Sequence, residues 1–202
     1  MTGNWILSGG RVIGDTDLCT EACIINCGGF SGSFQQDARR FDAEGLVLAP
    51  GIIDVHGDGF ERNFSPRPGV FFDLETALIE TDRQLVANGI TLAYLALTIS
   101  WEPGLRSLDS ARKVISALLH LRPCLLCDIR IQLRWEVFAL DAVDQVEAWL
   151  ELDPKPTLAF NDHFTGLANG DRIRHKIPDY AARSGLTIDR YQKLLDDTKA
   201  RA

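Results

Sequence analysis

Residues 51–58 read GIIDVHGD, a short apolar run that ends in a histidine and an aspartate two positions apart. In a strand, residues i and i+2 share a face. Asp54, His56 and Asp58 therefore point the same way if the strand runs on to Asp58, and His56 and Asp58 then lie at its C-terminal end. An imidazole and a carboxylate at this spacing can chelate one divalent ion. They can equally form a plain hydrogen-bonded pair at a strand end, and three residues alone do not decide between the two. Arg67 sits between Pro66 and Pro68. A guanidinium in a braced loop suits bidentate contact with an oxyanion, although a surface arginine reads the same way. Of the other histidines, His163 follows a short apolar run. His120 falls at the end of an amphipathic segment, where it favours the helix dipole. His175 lies in the basic run 172–176 and reads as solvated.

The elements that must position these groups follow from periodicity. Residues 4–14 read as two short strands joined by Gly9-Gly10, 22–27 as a third and 45–49 as another, while 30–43 carry little pattern. Short strands with glycine turns predict a small β-sandwich over residues 1–50. After Pro50 the pattern changes. Residues 51–56 form an apolar run expected of a strand buried on both faces. Helical spacing covers 73–88, with Asp73 as N-cap and Leu74, Ala77, Leu78, Leu85 and Val86 on one face. A second buried strand spans 90–99, and a second helix spans 108–121 with Leu108, Ala111, Ile115 and Leu118 inward. A third strand covers 127–137, a third helix capped by Asp141 covers 141–152, a fourth strand covers 157–161, and a polar helical tail covers 187–202. Strands alternating with helices imply a parallel sheet. A complete eight-unit barrel needs about 250 residues, and the residues after Gly51 suffice for only about five units. The expected class is thus α/β: a small N-terminal β-sandwich (1–50) followed by an incomplete TIM-type (β/α) barrel (51–202). Such a sheet has unpaired edges, so a homo-oligomer or a missing C-terminal half is expected.

Composition narrows the function. A net charge of −7 argues against nucleic-acid or membrane-surface partners. No apolar run has the length of a membrane span, and the first residues lack a signal-peptide pattern, so the cytoplasm is expected. Cys19, Cys23 and Cys27, and the pair Cys124 and Cys127, lack the second ligand pair that a zinc site needs and are expected to be buried thiols.

The block after GIIDVHGD is more specific. Residues 51–70 read GIIDVHGDGFERNFSPRPGV, which resembles the phosphonate-metabolism branch of the amidohydrolase superfamily: His-x-Asp (His56, Asp58), an acid–base pair (Glu61, Arg62), then Pro66-Arg67-Pro68-Gly69-Val70. Leu133-Arg134-Trp135-Glu136 resembles that branch's Leu-Arg-Cys-Glu, and Asn161-Asp162-His163 followed by Thr165-Gly166 resembles its Met-Asp-His-Thr-Pro-Gly. The resemblance implies a metal-dependent hydrolase with two divalent ions (zinc, manganese or iron). His56, Asp58, Glu136 and His163 would be ligands, Glu136 and Asp58 would carry the chemistry, and Glu61, Arg62 and Arg67 would contact the substrate. The implied substrate is a phosphorylated small molecule, a ribose 1-phosphonate 5-triphosphate cleaved to release pyrophosphate. The chain departs from the pattern at Gln132 and Asn63, which stand where the branch has histidines, and at Gly59, where it has asparagine. Nothing after Gly166 supplies the ligands of late barrel strands. These departures keep open a hydrolase of cyclic C–N bonds and a non-catalytic relative.

Overall fold

The computed structural model describes residues 4–14, 18–19, 23–26, 29–31, 37–169 and 174–201, and it divides at Gly51/Ile52 into two compact units. The first unit holds two small sheets. One is ordered β5-β4-β1-β6, from β1 (Trp5–Ser8), β4 (Cys23–Asn26), β5 (Gly29–Ser31) and β6 (Arg39–Asp42); the other is ordered β3-β2-β7, from β2 (Arg11–Ile13), β3 (Leu18–Cys19) and β7 (Val47–Leu48). Two small sheets of short strands match the predicted sandwich. The link from β1 to β2 requires its glycines. Gly9 has φ 81°, and a Cβ on Gly10 would lie 2.8 Å from Leu48 Cδ1 and 2.9 Å from Ala43 Cβ. The segment 30–43 contains β6, an exposed strand that hydropathy does not mark.

The second unit is a parallel sheet in chain order, β11-β10-β9-β8, from β8 (Ile52–Gly57), β9 (Ile90–Ile99), β10 (Asp128–Glu136) and β11 (Thr157–Asn161). The crossovers carry α1 (Phe60–Phe64) and α2 (Leu74–Ala87), then α3 (Leu108–Leu121), then α4 (Val143–Trp149). Sequential parallel strands with helical crossovers make the first half of a (β/α) barrel. Its main core lies between sheet and helices: Leu95, Leu97 and Ile99 of β9 and Ile129, Ile131 and Leu133 of β10 meet Leu78, Val114 and Leu118. The predicted cap of α2 is explicit, and α3 has a side-chain cap as well. Asp73 accepts from the Thr76 amide at 2.9 Å, and Ser107 accepts from the Ser110 amide at 3.1 Å.

Several expectations change. The strand 51–56 is not buried on both faces: β8 is a sheet edge, and Ile52, Ile53 and Val55 are more than half exposed. Asp141 does not cap a helix, because a 3-10 turn spans Leu140–Ala142 and α4 starts from Ala142 without a side-chain cap. Val86 is exposed, as is Cys124, while Cys127 is buried and burial pushes its thiol up to about 11. The side chains of Cys19, Cys23 and Cys27 lie outside the described residues. Among the described residues beyond β11 three helices follow, α5 (Phe164–Asn169), α6 (Ile177–Arg183) and α7 (Ile188–Lys199), of which only the last has a clear pattern in sequence. They share a second small core of Phe164, Leu167, Tyr191 and Leu195, packed against Trp101 and Phe138.

One buried carboxylate ties distant elements together. Asp82 on α2 accepts from the Cys127 amide at 2.8 Å and from the Leu126 amide at 3.1 Å, where the chain turns into β10. Asp82→Ala removes charge-assisted bonds and leaves buried amides unpaired, so chemical denaturation should show a loss of about 3 kcal/mol. A loss below about 0.5 kcal/mol would contradict this role.

Candidate functional site

All four parallel strands deliver their C-terminal ends to one side of the second unit, where barrel enzymes carry their chemistry. Alternation along β10 turns Ile129, Ile131 and Leu133 to the helices, so Arg130, Gln132, Arg134 and Glu136 face the concave side. On β9 the matching face carries Tyr94, Ala96 and Thr98. Ala96 pairs in register with Gln132. Because Ala96 is small and the sheet is curled, side chains from β8 and β10 meet across it. His56 Nδ1 lies 2.5 Å from Gln132 Oε1, and Gln132 Nε2 donates to the Val55 carbonyl at 3.4 Å.

β8 stops short of Asp58. Its register with β9 shifts between Asp54 and Gly57, and Asp54 turns its carboxylate onto the His56 amide at 3.0 Å. Asp58 lies beyond the strand, where its carbonyl accepts from the Glu61 amide at 3.2 Å. The alternation that would align Asp54, His56 and Asp58 is therefore broken.

Glu136 and His163 come together. Glu136, 2% exposed at the end of β10, accepts from the His163 amide at 3.0 Å through Oε2, and its Oε1 lies 2.5 Å from His163 Nδ1. β10 and β11 pair Glu136 with Asn161, which places His163 just past the strand end. Asp162 accepts from the Thr165 amide at 2.8 Å. Bonds from the Thr165 amide and hydroxyl hold its carboxyl below the usual range.

The proposed substrate contacts are placed differently. Glu61 takes Arg106 in a two-point ion pair, at 2.7 and 3.1 Å. Burial works most strongly against the Arg106 charge, but Glu61 together with Glu102 and Asp58 outweighs it and raises the pKa. Arg62 and Arg67 are exposed. Arg67 opens a turn closed by the Val70 amide on the Arg67 carbonyl at 3.1 Å, with Pro68 next and Gly69 at φ 76°. This is the residue order of a type II turn. Asn63 donates to Thr81 at 2.9 Å and to Gln84 at 3.3 Å, so it braces α1 on α2. His175 is exposed, as read, and His120 lies in the last turn of α3, as expected.

Sequence reasoning missed a third group. Glu102, 3% exposed just after β9, receives Arg183 of α6 at 2.6 and 3.2 Å and also the Tyr191 hydroxyl of α7. Burial and Glu102 both raise the Tyr191 pKa. Trp101 stacks edge-on against Phe164 at 5.5 Å. Together these contacts lay α6 and α7 against the loop after β9. A cavity of about 80 Å³ lies there, lined by Ser100, Glu102, Arg106, Glu136, His163 and Arg183 among others. The only signal in the sequence was the position of Glu102 and Arg106 immediately past a barrel strand; Arg183 had none.

The donors present suit a divalent ion in kind. A ligating histidine commonly has its other ring nitrogen held by a carboxylate or carbonyl, and both His56 and His163 have Nδ1 held in this way, with Nε2 left for a further partner. They do not close a ligand shell, since among the described residues no three of His, Cys, Asp and Glu converge. Glu136 stands here as the partner that orients His163.

Strand order and crossovers define an incomplete (β/α) barrel with polar groups at its strand ends, the fold that the family resemblance implied. No family model matches the chain. It is 27% identical over 179 residues to the alpha-D-ribose 1-methylphosphonate 5-triphosphate diphosphatase of Escherichia coli (strain K12), a match that takes in 86% of the chain and 47% of that relative. The resemblance to the phosphonate branch of the amidohydrolase superfamily is thereby borne out, and the chain spans about half the length of the relative it matches. Similar solved structures include a dihydropyrimidinase from Brevibacillus agri NCHU1002 (17% identity, TM-score 0.48) and a D-hydantoinase from Bacillus sp. AR9 (15% identity, TM-score 0.49), each covering 91% of this chain and 44% of its own. No helix among the described residues is long and apolar enough to cross a membrane.

Asp162 gives a pH test. Its lowered pKa means that the bond to Thr165 is fully present above the ordinary aspartate range and is lost as pH falls through the depressed value. The protection of the Thr165 amide, taken relative to the intrinsic exchange rate at each pH, should fall in acid in the unmodified chain and stay nearly level in Asp162→Asn; equal acid sensitivity of protection in both would refute the assignment.

Proposed function

We propose that the chain is the N-terminal portion of a metal-dependent hydrolase that cleaves the triphosphate of a ribose 1-phosphonate 5-triphosphate and releases pyrophosphate. The observation that carries this reading is buried Glu136 gripping His163 at a barrel strand end, beside a cavity with two arginines. The diphosphatase named among its relatives supports the choice of substrate.

Hydrolysis needs a water that loses a proton and a leaving group whose charge is stabilised. With Nδ1 bound to Glu136, the His163 ring is fixed in one tautomer that leaves the Nε2 lone pair for a further partner. His56, fixed by Gln132, and His163 would hold a divalent ion together with ligands beyond this chain's own set. Such an ion polarises a phosphoryl oxygen and lowers the pKa of bound water. In this reading Arg62 and Arg67 contact the substrate as exposed cations, and Glu61 acts through Arg106. The two open edges of the sheet, β8 and β11, require a completing surface, either a second copy or the rest of a barrel.

His56→Ala and Glu136→Ala should each cut bound zinc, manganese or iron severalfold in the full-length protein, measured by elemental analysis after purification. Unchanged stoichiometry in both variants would sink the metal reading. Pyrophosphate release from a ribose 5-triphosphate analogue tests the substrate; turnover of a dihydropyrimidine in its place would overturn it.

A further inference from the structure

We propose that the cavity between the end of β9 and helix α6 is a binding site for a small tetrahedral oxyanion, a phosphoryl or phosphonyl group. This rests on the reading of the strand ends as a site for a phosphorylated substrate. Its volume of about 80 Å³ is several times the roughly 10–15 Å³ that one water occupies on this measure, enough for such a group.

The chemistry of the wall selects the ligand. Arg106 enters from the loop after β9 and Arg183 from the end of α6. Each is gripped by a glutamate through Nε and Nη2, Arg106 by Glu61 and Arg183 by Glu102. A guanidinium has five N–H donors, so each arginine keeps its Nη1 edge. The carboxylates are already engaged: Glu61 by Arg106, Glu102 by Arg183 and Tyr191, and Glu136 by the amide and ring of His163. The capacity left in the wall is mostly on donors, namely the two Nη1 groups and the Ser100 hydroxyl. A pair of guanidinium groups, each locked in orientation by a carboxylate, loses little side-chain freedom on binding an oxyanion. Arg183 is further fixed by the Tyr180 ring, 4.2 Å from its guanidinium carbon. In contrast to exposed Arg67, both arginines share this cavity with Glu136 and His163.

The test titrates the 202-residue chain with inorganic phosphate, followed by calorimetry and by the histidine ring signals in ¹H–¹⁵N spectra. Saturable binding with a shift at His163 is expected. Arg106→Lys and Arg183→Lys should each weaken it about tenfold or more, the loss expected for charge-assisted bonds. Arg112→Ala, on the exposed side of α3, should bind as the unmodified chain does. No saturable binding in the millimolar range, or an affinity in both lysine variants equal to that of the unmodified chain, would overturn the proposal. Should those variants fail to fold, the unmodified chain still decides: saturation that shifts His120 or His175 but not His163 overturns the site. Phosphate binding by the chain with no pyrophosphate release by the full-length protein supports this site while sinking the hydrolase reading. Pyrophosphate release from a chain that binds no phosphate does the reverse.

Discussion

Parallel strand order governs the second unit. Four strands running the same way, each returned by a helix, must bring four loops to one end. That single constraint assembles His56, Glu102, Glu136 and His163, which are scattered across more than half of the chain. The curl of the sheet adds the second requirement. At Ala96 the middle strand presents only a methyl group to the concave side, and His56 and Gln132 reach each other over it. A larger residue there would hold the first and third strands' polar groups apart. The site is thus built as much by a small residue that does no chemistry as by the large ones that do.

Much of this was legible in sequence because it is encoded locally. The apolar runs of β9 and β10, the cap Asp73 and the glycine pair at 9–10 are signals carried within a few residues. The motif block around His56 and the Leu-Arg-Trp-Glu and Asn-Asp-His segments pointed to Glu136 and His163, and the structure brings those two together. What stayed hidden depends on tertiary context. The exposure of Ile52, Ile53 and Val55 follows from β8 being a sheet edge, which no local pattern states. The break in β8 before Asp58 follows from a register shift. Glu61 looked like a substrate contact because nothing in sequence announces Arg106 as its partner 45 residues on. The clasp of Glu102 with Arg183 and Tyr191 spans more than 80 residues and joins segments that show no shared motif.

The glutamates illustrate how burial assigns roles. Glu61, Glu102 and Glu136 are all withdrawn from solvent, and each is matched by a cation, an imidazole or a hydroxyl. Burying a carboxylate without such a partner is costly, and breaking a matched pair by removing one member is strongly destabilising. Each pair therefore holds a loop in place as well as lining the strand ends, and in the loop after β9 the side chains add to the backbone bond from the Ser100 amide to the Arg106 carbonyl.

Asp82 has a consequence for how the chain can be divided. Its carboxylate sits on the helix between the first two strands, but the amides it receives belong to residues that open the third strand. The shortest piece of the second unit that keeps this carboxylate paired must therefore run past Cys127. A cut after β9 or α3 would strand a buried charge, although both points look like natural seams between repeating units. The modules of this half barrel are interlocked across one full repeat, so shuffling or trimming it unit by unit would first have to replace Asp82 with an uncharged residue.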